Sequence, residues 1–157
     1  MARKKTKENK GFVILFAVTI SSILLSIALG VVNVSLNEVR FSTSARATND
    51  AFFAADTGAE CALLHDRSAA ADNAFTGTAS MNCVGGPITL SGSDPSWNFI
   101  IAGLGSLGQS CAKVTVIKTF IDPYTFTTVT SKGYNIGDSA CESSSSNRIE
   151  REIKVSY

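Results

Sequence analysis

From Phe12 to Val32 the chain reads FVILFAVTISSILLSIALGVV, a run of 21 residues without a charged side chain. As an α-helix this run would be about 31 Å long. That length matches the hydrocarbon thickness of a bilayer, which is roughly 30 Å. Gly30 is compatible with a membrane helix and permits bending or close contact with another helix. The run therefore predicts a transmembrane segment, which we place at residues 12–34.

The residues before this run carry a concentrated positive charge. Residues 1–11 contain five basic residues and one acidic residue, a net charge of +4, whereas the rest of the chain has a net charge of −3. Basic residues beside a membrane segment indicate its cytoplasmic side, so we expect a basic leader inside and the remainder outside. The mildly acidic remainder gives no general attraction to nucleic acid. The leader charges are Arg3, Lys4, Lys5, Lys7 and Lys10.

The helical pattern continues beyond the apolar run. Between residues 33 and 66 there is no proline and a single glycine, Gly58, while alanines are frequent. Apolar residues at helical spacing predict an apolar stripe that includes Phe52. We assign residues 35–67 to the outer half of one long helix. Its outer half would pack on a globular head and its inner half on other helices of the same kind.

Residues 68–157 have the pattern of a small β-rich head. Alternating apolar and polar residues predict strands at Lys113–Ile121, Tyr124–Thr130 and Ile149–Tyr157. The first two are separated by Asp122-Pro123, a turn signal, and therefore predict a hairpin. Shorter strand candidates lie at residues 88–90 and 98–101. The chain is thus predicted to be α+β, with a long N-terminal helix packed on an antiparallel sheet of three to five strands.

The cysteines all lie beyond the apolar run, at Cys61, Cys83, Cys111 and Cys141. An even number of widely spaced cysteines on the exported side predicts two disulfides. Three pairings are possible, and we favour Cys61–Cys83 with Cys111–Cys141 because they close the shortest loops. Zinc is the alternative, but the sequence has no C-x-x-C pair and only one histidine, His65. We therefore expect no metal and no cofactor.

A glycine motif in the head has the spacing of a nucleotide-binding loop. Gly103, Gly105 and Gly108 match G-x-G-x-x-G, but the segment that follows reads as a strand. A dinucleotide site needs a helix N-terminus at that point. The motif is therefore interpreted as a flexible loop. The sequence also lacks a nucleophile–base set, and we expect no enzymatic activity.

Together these features resemble the type IV pilin and pseudopilin family. The matching parts are a short basic leader, Gly11 before Phe12, a charge-poor helix that continues outward and a small β head with cysteines. The stretch Ala51–Leu64, AFFAADTGAECALL, resembles the AA-x-x-G segment of PilX-like minor pilins. The ending Arg148–Tyr157 is similar to the last strand of such proteins.

The resemblance implies cleavage after Gly11 by a prepilin peptidase and methylation of the new amino group of Phe12. It also implies a precursor held in the cytoplasmic membrane by lipid contact, with a single pass and the head outside. An assembly platform would then transfer the subunit into a filament of pilin subunits at the cell surface. Close helix approach in that filament would use small residues. These are Ala17, Ser21, Ala28 and Gly30.

One position departs from the family pattern. The fifth residue of the mature chain is commonly glutamate in this family, and here it is Phe16. Loss of this glutamate is associated with minor subunits near the filament tip, so the resemblance favours a minor pilin. The sequence does not separate a type IV pilus from a type II secretion pseudopilus. The alternatives are a secretory signal peptide or an anchored extracytoplasmic binding domain that never polymerises.

Overall fold

The computed structural model describes residues 10–68, 73–77 and 80–157. The chain divides into two compact units, which meet between Thr43 and Ser44. Helix α1 spans Lys10–Arg67 and continues through this division. The predicted helix, from about residue 12 to 66, is therefore present and slightly longer.

In the first unit, the described residues are helical, and residues 12–43 are exposed. An 18-residue window near the start of the helix has a mean hydropathy of 2.7 and is long and apolar enough to cross a membrane. Hydroxyl groups within it donate to helix carbonyls, as in Thr19 Oγ1 to the carbonyl of Phe16 at 2.9 Å and Ser26 Oγ to that of Ser22 at 2.8 Å. These bonds satisfy polar groups that would be costly in lipid.

Seven strands occur in the described residues of the second unit. Their bounds are β1 Ser80–Cys83, β2 Gly86–Thr89, β3 Ser91–Ser93, β4 Ser96–Leu104, β5 Ser110–Ile121, β6 Tyr124–Tyr134 and β7 Glu150–Ser156. Strands β1 and β2 form a two-stranded hairpin, and the others form an antiparallel sheet in the order β3-β4-β5-β6-β7. A 3₁₀ helix, Ala74–Thr76, precedes β1. The predicted α+β class is confirmed.

The strand predictions differ from the structure mainly in extent. Strand β6 begins at Tyr124 as predicted but continues to Tyr134, because β5 pairs with it from Tyr124 to Tyr134 and β7 pairs with it from Thr128 to Tyr134. The short strand β3, Ser91–Ser93, was not predicted. It contains one glycine and two serines, so no apolar alternation marks it.

The sheet-facing side of the helix consists of small residues. Ala51, Ala55, Gly58 and Ala62 follow one another at spacings of three or four and are all buried. Phe52, a member of the predicted apolar stripe, is 47% exposed. A large side chain on the sheet-facing side would hold the two backbones apart, so the small residues occupy that side and the aromatic residue points away.

Two glycines set how closely helix and sheet approach. A Cβ on Gly58 would lie 2.7 Å from Cγ2 of Val114, and one on Gly133 of β6 would lie 2.9 Å from Cα of Ala55. Both distances are too short for real contacts. Glycine is therefore required on each side of this interface for the helix to lie against the sheet.

Beside this interface lies the apolar core of the head. Phe75 and Trp97 pack edge to face with ring centroids 5.8 Å apart, and they are 2% and 4% exposed. Val114, Val116 and Val129 complete the layer beneath the helix and are fully or almost fully buried. The inner faces of β4, β5 and β6 thus provide the core, and their other faces point to solvent.

Candidate assembly surfaces

The exposed apolar side of the helix in residues 12–43 is the largest candidate surface of the first unit. Phe12 and Phe16 stack with ring centroids 6.5 Å apart and an interplanar angle of 12°, and they are 73% and 57% exposed. A run of apolar side chains at this exposure is stable only against lipid or against other apolar helices. The surface can therefore act as an anchor or as a packing seam.

The predicted close-approach residues lie on this same helix. Ala17, Ser21, Ala28 and Gly30 are exposed, and a Cβ on Gly30 would meet nothing within 4 Å. Small exposed residues of this kind let the backbone of a second helix come near. Within the described residues of the first unit, no second helix packs against these four residues.

The leader mostly lies outside the described residues. This holds for Arg3, Lys4, Lys5 and Lys7. Helix α1 begins at Lys10, so the predicted processing bond between Gly11 and Phe12 lies in its first turn. The predicted leader and cleavage site stay predictions.

Two disulfides staple the second unit. Cys61 of the helix is bonded to Cys83 at the end of β1, with Cα atoms 6.0 Å apart. Cys111 of β5 is bonded to Cys141, with Cα atoms 5.6 Å apart. This is the pairing that the sequence favours. The first bond ties the helix end to the β1–β2 hairpin, and the second holds the irregular segment 135–149 against the sheet.

His65 lies beside the first disulfide. One ring nitrogen of His65 and the sulfurs of Cys61 and Cys83 lie within 4.8 Å of one another, a cluster with metal-ligand chemistry. Both sulfurs, however, are bonded to each other and offer no thiolate, which is the form that binds zinc. His65 Nε2–H instead donates to the carbonyl of Asn82 at 2.9 Å. In this oxidised state the cluster fixes the helix end to β1.

A charged network joins the end of the helix to the sheet. Asp66 Oδ1 lies 2.7 Å from Lys118 Nζ, and its Oδ2 accepts a hydrogen bond of 2.7 Å from the Tyr157 hydroxyl. The side chains of Asp66 and Lys118 are 6% and 17% exposed. Lys118 Nζ also lies 5.7 Å from the centre of the Trp97 ring, so it links the ion pair to the aromatic core.

This network shifts the acidity of its members in opposite directions. Burial raises the pKa of Asp66, but hydrogen bonds from Lys118 and Tyr157 outweigh it and hold the pKa below its ordinary value. Burial raises the pKa of Tyr157, and its hydrogen bond to Asp66 raises it further. The network therefore holds a carboxylate and a protonated phenol at neutral pH. It joins the C-terminal end of the helix to the sheet.

The glycine motif runs from the end of β4 into the connection to β5. Gly103 lies within β4, Gly105 and Gly108 lie between the two antiparallel strands, and all three have positive φ. A strand, not a helix, follows it. A separate open cleft of about 480 Å³ lies beside Phe75, Gly92, Asp94 and Trp97.

Two apolar patches in the second unit carried no strong sequence signal. The first, here called the tip patch, is formed by Ile117, Ile121, Tyr124 and Phe126 near the β5–β6 turn, which are 41–68% exposed. The second, here called the helix patch, is Phe52 and Phe53, whose rings pack edge to face at 6.0 Å. Both patches lie in segments with the ordinary apolar periodicity of a core. Only their exposure in the part of the chain that the structure describes reveals them as surfaces.

Comparison with known proteins adds no relative. No family model matches the chain, and no curated protein or solved structure matches it.

Proposed function

We propose that this chain is a structural subunit of a type IV pilus or a related pseudopilus, more specifically a PilX-like minor pilin. In this proposal prepilin peptidase cleaves after Gly11, the new amino group of Phe12 is methylated, and an assembly platform moves the subunit from the membrane into the filament. The observation that carries the proposal is the helix α1. Its early residues expose a long apolar surface, and its later residues pack on a disulfide-stapled antiparallel sheet.

The physical basis of assembly is exchange of lipid contact for helix contact. Apolar side chains of residues 12–43 need an apolar environment, and helices of neighbouring subunits provide one outside the membrane. Small residues such as Ala28 and Gly30 support close packing of such helices. Hydrogen bonds of Thr19 and Ser26 to their own helix leave fewer polar groups unsatisfied on that surface.

Phe16 supports the assignment to a minor subunit. A glutamate at this position would pair with the terminal amine of a neighbour, and a buried amine without a partner is costly. Phe16 stacks on Phe12 instead and offers no carboxylate to an adjacent subunit. Such a subunit fits a position where no neighbour needs that pairing, such as a filament end.

The proposal is tested by mass spectrometry of the protein from cells with an active prepilin peptidase. We expect a mature chain that begins at Phe12 and carries one additional methyl group. Gly11→Val should leave the precursor uncleaved and abolish its incorporation into filaments. Gly30→Val, within the same helix, is the matched control and should be cleaved normally. A precursor that keeps residues 1–11 in wild-type cells would contradict the proposal.

A second function is a permanently anchored extracytoplasmic binding domain. The open cleft beside Trp97 favours it, since a receptor needs a concave site in its head. This function predicts that Gly11→Val changes neither the mass nor the location of the protein. The same experiment therefore separates the two functions.

A further inference from the structure

The end of helix α1 and the end of β1 bring three side chains with metal-ligand chemistry together. Cys61 and His65 are four residues apart on the helix and therefore share one of its faces. Cys83 is the last residue of β1 and joins them from a segment 22 positions further along the chain, so no C-x-x-C spacing marks the cluster in the sequence. The two cysteines are buried and His65 is half-buried, which leaves the cluster open to solvent at the imidazole.

The hydrogen bond of His65 orients its ring as metal binding requires. The carbonyl oxygen of Asn82 only accepts, so the Nε2 atom 2.9 Å from it carries the proton. In the neutral imidazole the lone pair then lies on Nδ1. Metal-ligating histidines almost always donate their other N–H to a carbonyl or a carboxylate in this way, which fixes both the tautomer and the ring orientation.

The distances in the cluster suit a tetrahedral ion once the sulfur–sulfur bond is broken. Zinc holds thiolate sulfur at about 2.3 Å and imidazole nitrogen at about 2.0 Å, which places the ligand atoms roughly 3.6–3.8 Å from one another. The Cα atoms of Cys61 and Cys83 are 6.0 Å apart, so rotation of the two side chains is sufficient to reach that separation. One nitrogen of His65 already lies within 4.8 Å of both sulfurs and needs to move by about 1 Å at most.

Contacts other than the disulfide hold both parts of the cluster in place. Asp66, one residue beyond the cluster, is tied to Lys118 of β5 and to the Tyr157 hydroxyl, each at 2.7 Å. Met81 of β1 is 5% exposed and packs in the apolar core of the head. The helix end and β1 are therefore each anchored to the rest of the head, and reduction of the first disulfide leaves the three ligands adjacent.

We propose that the reduced form of this cluster is a zinc site, with Cys61, His65 and Cys83 as ligands and a water molecule in the fourth position. A dithiol reductant supplies two electrons and two protons, which break the sulfur–sulfur bond and leave two thiols, while the dithiol becomes a disulfide. Zn²⁺ then replaces the two thiol protons, which pass to solvent. The same two sulfurs thus tie the helix to the β1–β2 hairpin in either state, through a covalent bond or through an ion. This inference concerns the head alone and does not rest on the proposed function.

The test is a titration of the full chain in detergent micelles with Co²⁺, before and after reduction by a phosphine that is then removed without oxygen. Cobalt is the probe because its absorption reports thiolate ligation and tetrahedral geometry. We expect the reduced protein to bind one Co²⁺ per chain, with a thiolate-to-cobalt band in the near ultraviolet and the d–d bands of a tetrahedral site. Zn²⁺ should remove these bands, since thiolate sites select zinc. The oxidised protein should show no bands.

His65→Gln is the decisive variant, because an amide can still donate to the carbonyl of Asn82 but offers no imidazole nitrogen. After reduction it should bind Co²⁺ at least about 100-fold more weakly, beyond the roughly 10–100-fold that loss of a hydrogen-bond partner of a ligand costs. Cys61→Ala/Cys83→Ala is the matched control, because it retains the other cysteine pair. It should give no thiolate-to-cobalt band.

Fluorescence of Trp97, which is 4% exposed, reports in each titration whether the head stays folded. A folded reduced head without thiolate-to-cobalt bands would overturn the proposal, as would equal affinities of the wild type and His65→Gln. Equal bands from the wild type and Cys61→Ala/Cys83→Ala would assign the ion to the other cysteine pair and overturn the proposal as well. A head that unfolds on reduction and does not refold with Zn²⁺ would show that only the disulfide holds the ligands together, which would also overturn it.

Discussion

Replacing Gly133 by alanine perturbs the closest approach between helix and sheet. The new Cβ would lie 2.9 Å from Cα of Ala55 and closer still to backbone atoms of Ala51 and Ala55. Because the clash is with backbone, no rotamer change relieves it, and in a close-packed interior the helix has to move by roughly 1 Å. Overpacking of a core costs about 1–3 kcal/mol, so we expect the upper end, about 3 kcal/mol. For a domain of this size that lowers Tm by about 12 °C.

The assay is thermal unfolding of the full chain in detergent with its disulfides intact. Trp97 is the only tryptophan in the sequence and is 4% exposed, so its fluorescence reports the core of the head. Gly86→Ala is the matched control, because a Cβ on this strand glycine meets nothing within 4 Å. Its Tm should stay within about 2 °C of the wild type or rise slightly. If Gly133→Ala and Gly86→Ala unfold at the same temperature, the close-approach reasoning is refuted.

Three further perturbations concern the disulfide, the ion pair and the first hairpin. Removing the Cys111–Cys141 bond by replacing both residues with alanine should lower the free energy of unfolding by about 3–4 kcal/mol, measured in urea, since it closes a 30-residue separation. Asp66→Asn should lower the free energy of unfolding by about 2 kcal/mol at pH 7. If Asp66→Asn lowered it equally in a Lys118→Met background, the pairing of Asp66 with Lys118 would be contradicted. The pKa of Asp66 lies below its ordinary 3.8, so the ion pair stabilises the fold above about pH 4, and this stabilisation is lost as the pH falls through the lowered pKa. In urea titrations, the free energies of unfolding of the wild type and of Asp66→Asn should therefore converge at low pH. Val84→Asn should raise Tm. Val84 has φ 52° in the two-residue turn between β1 and β2, and a β-branched residue in this conformation costs about 1 kcal/mol of stability. An unchanged Tm would argue against strain at this turn.

Strong local patterns allowed much of the fold to be predicted. The uncharged run that starts at Phe12 and the alternation in Lys113–Ile121 each repeat one period over many residues, so neighbouring signals agree. Segments too short to repeat a period were missed. Strand β3 is three residues of serine and glycine, and its pairing with β4 is a long-range choice that no local pattern records.

The candidate surfaces were predictable only in part. Exposure of Phe16 follows from an apolar run too long for a small head to bury. Exposure of Phe52 does not follow, because an aromatic residue at helical spacing fits a core stripe as well as a surface. Which side of the helix faces the sheet is decided by backbone approach at Gly58 and Gly133, and these two glycines lie 75 positions apart in the chain.

The amino-acid sequence alone determined the long helix, its apolar first half, the α+β class and the set of cysteines. These depend on charge, periodicity and composition, which are local properties of the chain. Tertiary structure decided the rest: the alanine side of the helix lies inward, Asp66 meets Lys118 and Tyr157, and the hairpin tip stays uncovered. Each of these depends on which distant residues come into contact, and contact is set by packing of the whole head.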